Sequence, residues 1–369
     1  MRRDDDGFGY VSRAEWRAAD AFYATLMGWR PRPRRYFPSL EQSAEDPPPA
    51  CGFFGPGGAT RTLDQLRADI AQVAKDQWKA WHTGAVPRLE NDVNLFWLLV
   101  AYYVSATATI SANQVKLLHA AAKPLSFASL VALTAPADVT AEISRLRDAM
   151  LTKIASPSAD LKTRVKEAIE NARESHFDTK SGPWSAVFVS AVVRGAAIVQ
   201  GVETDPTKPL FVSVKHIEYT KEALKRTPGD GRPGVAGTYH AFKPGVRDVA
   251  VGDIIVQDRR PGLKESDVTT LSLSMPDKRI THGDIVVEKK DDRVVTIGGN
   301  VCNSVRFRHY PVQNKRLVVE RNQLFVQENF RGVMPILPAE SCHDPGDDLE
   351  SQSTKRIFAL LSLVEQCPT

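Results

Sequence analysis

No two cysteines in this chain have the spacing of a metal site. There are four, Cys51, Cys302, Cys342 and Cys367, and no C-x2-C pair is among them, which argues against a zinc module. Free thiols in a reducing compartment and a disulfide between Cys342 and Cys367 are both compatible with that spacing. The histidines His82, His119, His176, His240, His309 and His343 show no ligand spacing either. No metal and no cofactor are expected. Long apolar runs are also missing. The longest uncharged stretch is "VNLFWLLVAYYVSATATISANQV", residues 93–115, and its apolar part, Leu95–Val104, is too short for a bilayer. It reads as a buried helix, and no transmembrane segment is expected. The start, "MRRDDDGFGYVSRAEW", opens on two arginines but has no apolar core, so it does not read as a secretory signal. The chain is therefore expected to be cytoplasmic as synthesised, reaching the periplasm or a target cell only by delivery. Charge excess is lacking too. A net charge of +4, with 25% charged and 42% hydrophobic residues, is ordinary for a globular protein and does not call for nucleic acid. No internal repeat is visible.

The 369 residues suit about two domains, or one large domain with an insertion. Residues 1–60 read as an irregular arm with one helical stretch, Arg13–Trp29, and with Pro- and Gly-rich loops at 29–38 and 45–58. An amphipathic helix begins at Thr62, where Gln65 completes a capping box, and Leu66, Ile70, Val73, Gln77 and Trp81 share its stripe. Helices are expected near 93–106 and 113–132. Two more carry Val139, Ile143, Leu146, Met150 and Ile154, then Leu161, Val165, Ile169 and Ala172. After about residue 205 the pattern changes. A short helix from Ser213 precedes strands at 251–258, 282–290, 293–300 and 315–322, with "KDD" as a hairpin turn. The stretch 338–356 reads as loose, and "TKRIFALLSLVEQC" as a last helix. Helices leading into an antiparallel sheet indicate an α+β fold.

Two segments can carry chemistry. In "GPWSAVFVSAVVRG", residues 182–195, Ser185 stands where a buried helix would begin. Serine favours that place as an N-cap. The free amides and dipole of a helix start also favour negative charge, as a nucleophile's site requires, and a serine there needs a base to take its proton. In "THGDIVVEKKDDRVVTIGGNV", closing the hairpin over Lys290–Asp292 sets His282 opposite Asn300, within one residue of register. A histidine with a polar neighbour is the base-plus-orienter half of a triad. It is equally a pair that caps an exposed hairpin. Asp284 is a second neighbour, because residues i and i+2 share a strand face. His216, Tyr219 and Trp184 are candidates to line the same cleft, and each is equally explained as an ordinary helix or core residue.

The order of helix-start nucleophile, strand histidine and polar residue on the next strand is similar to that of the papain-like cell-wall amidases and peptidases, the NlpC/P60 and CHAP families. The segments "QWKAW", "PWSAVFVSAVVR", "HIEYTKEAL", "VGDIIV", "THGDIVVE" and "IGGNVCNSV" resemble, in order, the DUF2272 domain, a branch of that superfamily. The resemblance spans roughly 68–102 and 175–325. It implies a papain-like core of NlpC/P60 type over 61–335, a helix bundle packed on an antiparallel sheet, with a helical insertion at about 105–170 and a tail at 336–369. By position, Ser185 falls on the nucleophile, His282 on the histidine and Asn300 on the third polar residue, with serine where active relatives have cysteine. Cys302, on the sheet side, does not replace it. Two functions follow. One is a hydrolase of amide bonds in peptidoglycan or a related peptide. The other is a module that binds a cell-wall peptide or protein partner without turnover, such as a delivered effector with an immunity or secretion partner.

Overall fold

The computed structural model describes residues 53–54, 60–83, 86–177, 184–199, 212–229, 238–258, 269–301, 303–318, 348–350 and 357–364. The Arg13–Trp29 helix, the loop at 29–38, residues 338–347 of the tail and all four cysteines lie outside these.

The helices come first. They are α1 (Leu63–Ala80), α2 (Phe96–Ser105), α3 (Ala112–Ala122), α4 (Ala128–Ala132), α5 (Pro136–Leu151) and α6 (Ala159–His176). Then follow α7 (Ser185–Val199) and α8 (His216–Arg226). Local sequence accounts for their starts. Thr62 and Gln65 exchange side-chain and backbone bonds in a full capping box before α1, and Ser111 and Gln114 do the same before α3. Ser158 caps α6, and α5 opens on Pro136, whose missing N–H costs nothing in a first turn. The stretch 113–132 is two helices, α3 and α4, because "KPLSF" interrupts it. Proline at 124 has no N–H for a helix ladder.

The sheet strands are β1 (Thr238–Phe242), β2 (Ile254–Asp258), β3 (Thr281–Lys289), β4 (Arg293–Val301), β5 (Ser304–Gln313), β6 (Arg316–Leu317), β7 (Asp348–Glu350) and β8 (Ile357–Val364). Their order is β6-β5-β4-β3-β2-β8-β1, with β7 also on β5. Every pairing is antiparallel except β7 with β5. The fold is thus α+β. Two-residue hairpins, Phe53–Phe54 with Thr60–Arg61 and His82–Thr83 with Val86–Pro87, stand apart from this sheet. Lys290 N–H donates to Arg293 O across the expected β3–β4 turn. Strand β5, at 304–313, was not expected, and the expected strand at 315–322 shrinks among the described residues to β6.

The expected last helix is a strand. β8 lies between β2 and β1, pairing Leu361 with Ile254 on one side and with Ala241 on the other. An unbroken apolar run of this length fits a buried helix and a strand covered on both faces equally well, so periodicity cannot separate them. Here both faces are covered. Phe358, Ala359, Leu361 and Leu363 join the main core, while Ile357 and Leu360 join a second cluster with Val249, Ile255, Val286, Val294, Tyr310, Val312 and Leu317.

The main core is continuous from Leu66 in α1 to Leu363 in β8. It includes Val115, Leu118, Ile143, Leu146, Val165 and Ile169, so the helices of the expected insertion share it. Helix α7 packs on α1, α2, β3 and β4, and α8 packs on β1, β3 and β8. The buried Arg194 of α7 donates to the carbonyls of Ser105, Thr107 and Ile110, at and just beyond the C-terminal end of α2. A cation suits the negative end of a helix dipole, and these bonds fix α7 lengthwise against α2. Among the described residues, no helix is long and apolar enough to cross a membrane.

Two outcomes test this packing. Leu361→Ala, at a fully buried position in a central strand, should lower stability in urea by about 2–5 kcal/mol. A loss well under 1 kcal/mol would mean that β8 lies outside the core. The second concerns His119, whose Nε2–H donates to Ala101 O (2.9 Å) and Ser105 Oγ (2.9 Å). Burial, aided by the nearby Arg194 charge and opposed by the Ala101 bond, lowers its pKa to about 4. The unfolded chain therefore binds the proton first, near pH 6.5, and stability falls as pH drops from there toward 4, by about 3 kcal/mol from this group. Buried Asp253, raised to about 6 by burial, acts in the opposite sense over an overlapping range. The melting temperature of His119→Gln should accordingly fall less between pH 7 and 4.5 than that of the native chain.

Candidate functional site

Helix α7 starts on the residue in question. Phe188 N–H donates to Trp184 O (3.0 Å), so Trp184 occupies the cap position and Ser185 is the first helical residue. Ser185 Oγ lies 2.6 Å from His216 Nε2. His216 is the first residue of α8, and its Nδ1 is bonded to the hydroxyl of Tyr219, one turn along. The imidazole and phenol rings meet edge-on, with centroids 5.2 Å apart. Ser185, His216 and Tyr219 thus form one chain of hydrogen bonds, buried throughout.

A second chain lies on the sheet. His282 Nε2 donates to Asp284 Oδ1 at 2.8 Å. The other carboxylate oxygen accepts from Tyr310 Oη (2.5 Å) and from Arg308 (3.3 Å). Gln257, paired with His282 across β2 and β3, donates to the same tyrosine (2.9 Å). Burial alone would raise the Asp284 pKa. The charges of His282 and Arg308, with the bonds from His282 and Tyr310, outweigh it and hold the carboxyl well below its usual range. The same burial, with Asp284 beside it, raises the Tyr310 hydroxyl. Strand pleating puts His282 and Asp284 on the face of Val286, opposite that of Ile285 and Val287, which meet the helices. The His216 and His282 rings nevertheless come within 5.7 Å, centroid to centroid.

The expected pair was Ser185 with His282. The bond made by Ser185 goes to His216, which sequence had offered only as a lining residue. Asp284, the second neighbour, is the group bonded to His282. Asn300 is half-buried and has φ +55°, a left-handed conformation that asparagine tolerates. The β3–β4 pairing shifts by one residue between Val286 and Glu288 and then reaches Asp284 opposite Gly298, within the single residue of register expected, and the β4–β5 register shifts between Gly298 and Val301. The local twist of β4 at Asn300 could not be read from hairpin arithmetic. Trp184 stacks on Trp81 at 4.7 Å, and its indole N–H donates to the buried Glu90 carboxylate. It is a core residue that seats the start of α7.

Three glycines make room for both chains. A Cβ on Gly283 would stand 2.5 Å from Tyr219 Oη and 2.8 Å from His216 Nδ1. One on Gly298 would collide with Asp284 Oδ1, and one on Gly299 with Phe188. This is the physical content of "IGGN" and "THGD": helix and sheet approach more closely than side chains permit. Beside the site, a cavity of about 930 Å3 between α6 and α8 is lined by Tyr103, Arg164, Asn171, Lys221, Tyr239 and also Tyr219. Its wall thus includes the last member of the Ser185 chain. Among the described residues no cluster of three His, Cys, Asp or Glu could hold a metal ion.

Gly283→Ala should push α8 off β3, lowering stability by about 1–3 kcal/mol and separating His216 from Ser185. Urea unfolding with a crystal structure checks both. A variant of native stability with the 2.6 Å contact intact would count against the close approach.

No curated protein and no solved structure matches the chain. The family described as "Uncharacterized protein conserved in bacteria (DUF2272)" matches residues 150–344. That stretch contains α6, α7, α8 and strands β1 to β6, and with them both hydrogen-bond chains. Covering more than half of the 369 residues, it places this chain in the DUF2272 family of proteins conserved in bacteria.

Proposed function

We propose that the chain is a papain-like hydrolase of amide bonds in peptidoglycan or a related peptide, of the NlpC/P60 and CHAP kind, with Ser185 as nucleophile. The observation that carries this reading is the 2.6 Å contact between Ser185 Oγ and His216 Nε2 at the first residue of a helix. That distance is within the range for direct proton transfer. A serine hydroxyl is too weakly acidic to react unaided, so His216 takes its proton as Oγ attacks the carbonyl carbon. The amides of the first turn of α7 face the charge that develops on the carbonyl oxygen. His216 then returns the proton to the leaving amine as the C–N bond breaks, and a water deprotonated by the same imidazole cleaves the acyl ester and frees Ser185. In this reading His216 takes the role of base, for which His282 was first expected. His282, held by Asp284, stands behind it as a second imidazole. Asn300 lies on β4, the strand paired with that of His282.

A second reading is favoured by burial. Ser185, His282 and Asp284 are fully buried and His216 nearly so, so a peptide reaches Oγ only after the site opens. A cleft of this kind could bind a cell-wall peptide or a protein partner without turnover, as in a delivered effector with an immunity or secretion partner.

The two readings diverge in kinetics. For a hydrolase, Ser185→Ala and His216→Ala should each reduce turnover of a muropeptide by about 100-fold or more, with the double variant no worse, because the pair acts as a unit. His282→Ala should cost less. Wild-type turnover that survives Ser185→Ala would refute the role of that serine. For a binding module, wild type shows no turnover and both variants keep ligand affinity within a few-fold. Ser185→Cys then becomes informative, since a thiol beside His216 and a helix start ionises far more readily than a hydroxyl. Activity gained by that variant alone would mean that only the nucleophile was lost.

A further inference from the structure

The His216 ring has both nitrogens engaged by hydroxyl groups, Nε2 by Ser185 and Nδ1 by Tyr219. A neutral imidazole carries one N–H and one lone pair, and a hydroxyl can donate or accept. Two proton arrangements therefore satisfy the same heavy atoms. In the first, Ser185 donates to Nε2, and Nδ1–H donates to Tyr219. In the second, Tyr219 donates to Nδ1, and Nε2–H donates to Ser185. Only the first leaves a lone pair where the serine proton must go. The second makes the same pair inert as nucleophile and base.

We propose that Tyr219 is a positioning residue that fixes the tautomer of His216, accepting from Nδ1–H so that Nε2 receives the Ser185 proton. The inference rests on the reading of Ser185 and His216 as nucleophile and base, and adds the group that makes that base competent. Several observations support this arrangement. Tyr219 is one turn from His216 on α8, so helix geometry fixes their approach. Its hydroxyl is pinned over Gly283, where even a methyl group would stand 2.5 Å away. The buried Asp284 carboxylate is near enough to raise the Tyr219 pKa, behind burial itself as the larger cause. The phenol therefore stays protonated. A negative charge on that side favours an O–H directed toward it, the orientation in which the oxygen lone pairs are left for Nδ1–H. At the other end, the first turn of α7 presents its positive dipole end to Ser185 Oγ, which favours the serine as proton donor over proton acceptor.

The test is spectroscopic and does not need a substrate. In uniformly 15N-labelled full-length protein near pH 7.5, two-bond 1H–15N spectra report which nitrogen of His216 is protonated. The expected pattern is a protonated Nδ1 and an unprotonated Nε2. Tyr219→Phe keeps the ring and removes only the hydroxyl, and should shift His216 toward the Nε2–H tautomer or a mixture. With an active peptide substrate, kcat of Tyr219→Phe should fall about tenfold or more with KM within about twofold, since the loss lies in proton transfer and not in binding. A wild-type spectrum showing Nε2–H would overturn the proposal even if the variant does not fold. So would an unchanged tautomer in a folded Tyr219→Phe. The expected tautomer in a protein that hydrolyses no peptide would leave this inference standing while removing the hydrolase reading.

Discussion

The closeness of helices to sheet at β3 and β4 is the constraint on which the rest of the site depends. Helix α8 can bring His216 to Ser185 only because Gly283 offers nothing for Tyr219 and His216 to strike, and α7 can seat Phe188 only because Gly299 is bare. In a close-packed interior one added methyl group must be absorbed by movement of whole elements. Arg194 then fixes α7 along its length, through carbonyls at and beyond the end of α2. Position across the sheet is set by absent atoms, and position along it by a buried cation.

The electrostatics of the site follow from its dryness. A buried carboxylate is unfavourable unless several donors meet it, and Asp284 has His282, Tyr310 and Arg308. The consequence is a fixed negative charge beside the His282 ring. The Ser185 chain runs through the His216 ring to the Tyr219 hydroxyl. One chain is built around a carboxylate charge, the other around hydroxyl and imidazole groups that can pass a proton.

The last described strand is tied to the first long helix. Arg67 of α1 donates to Ser362 Oγ (3.2 Å) and to Leu363 O (3.1 Å), and stands 3.5 Å from the buried Asp253 at the start of β2. An early helix, the middle of the sheet and its late central strand are thus joined at one guanidinium. Contacts this distant in sequence carry a large loop-closure cost, offset only when the whole core forms.

The sequence alone determined what short-range physics controls. Thr62 with Gln65 announced the start of α1, the spacing of Leu161, Val165, Ile169 and Ala172 announced α6, and "KDD" announced the β3–β4 turn, because caps, stripes and turns depend on neighbours a few residues away. Ser185, His282 and Asp284 were also legible as candidates, through a helix start and a shared strand face. The tertiary structure decided what depends on partners far along the chain. "IFALLSLV" became a strand because β1 and β2 leave a place between them and both sides are covered, a circumstance no local pattern contains. The partner of Ser185 was decided in the same way. His216 follows it by 31 residues on another helix, and which histidine reaches the hydroxyl depends on how closely α8 can lie on Gly283.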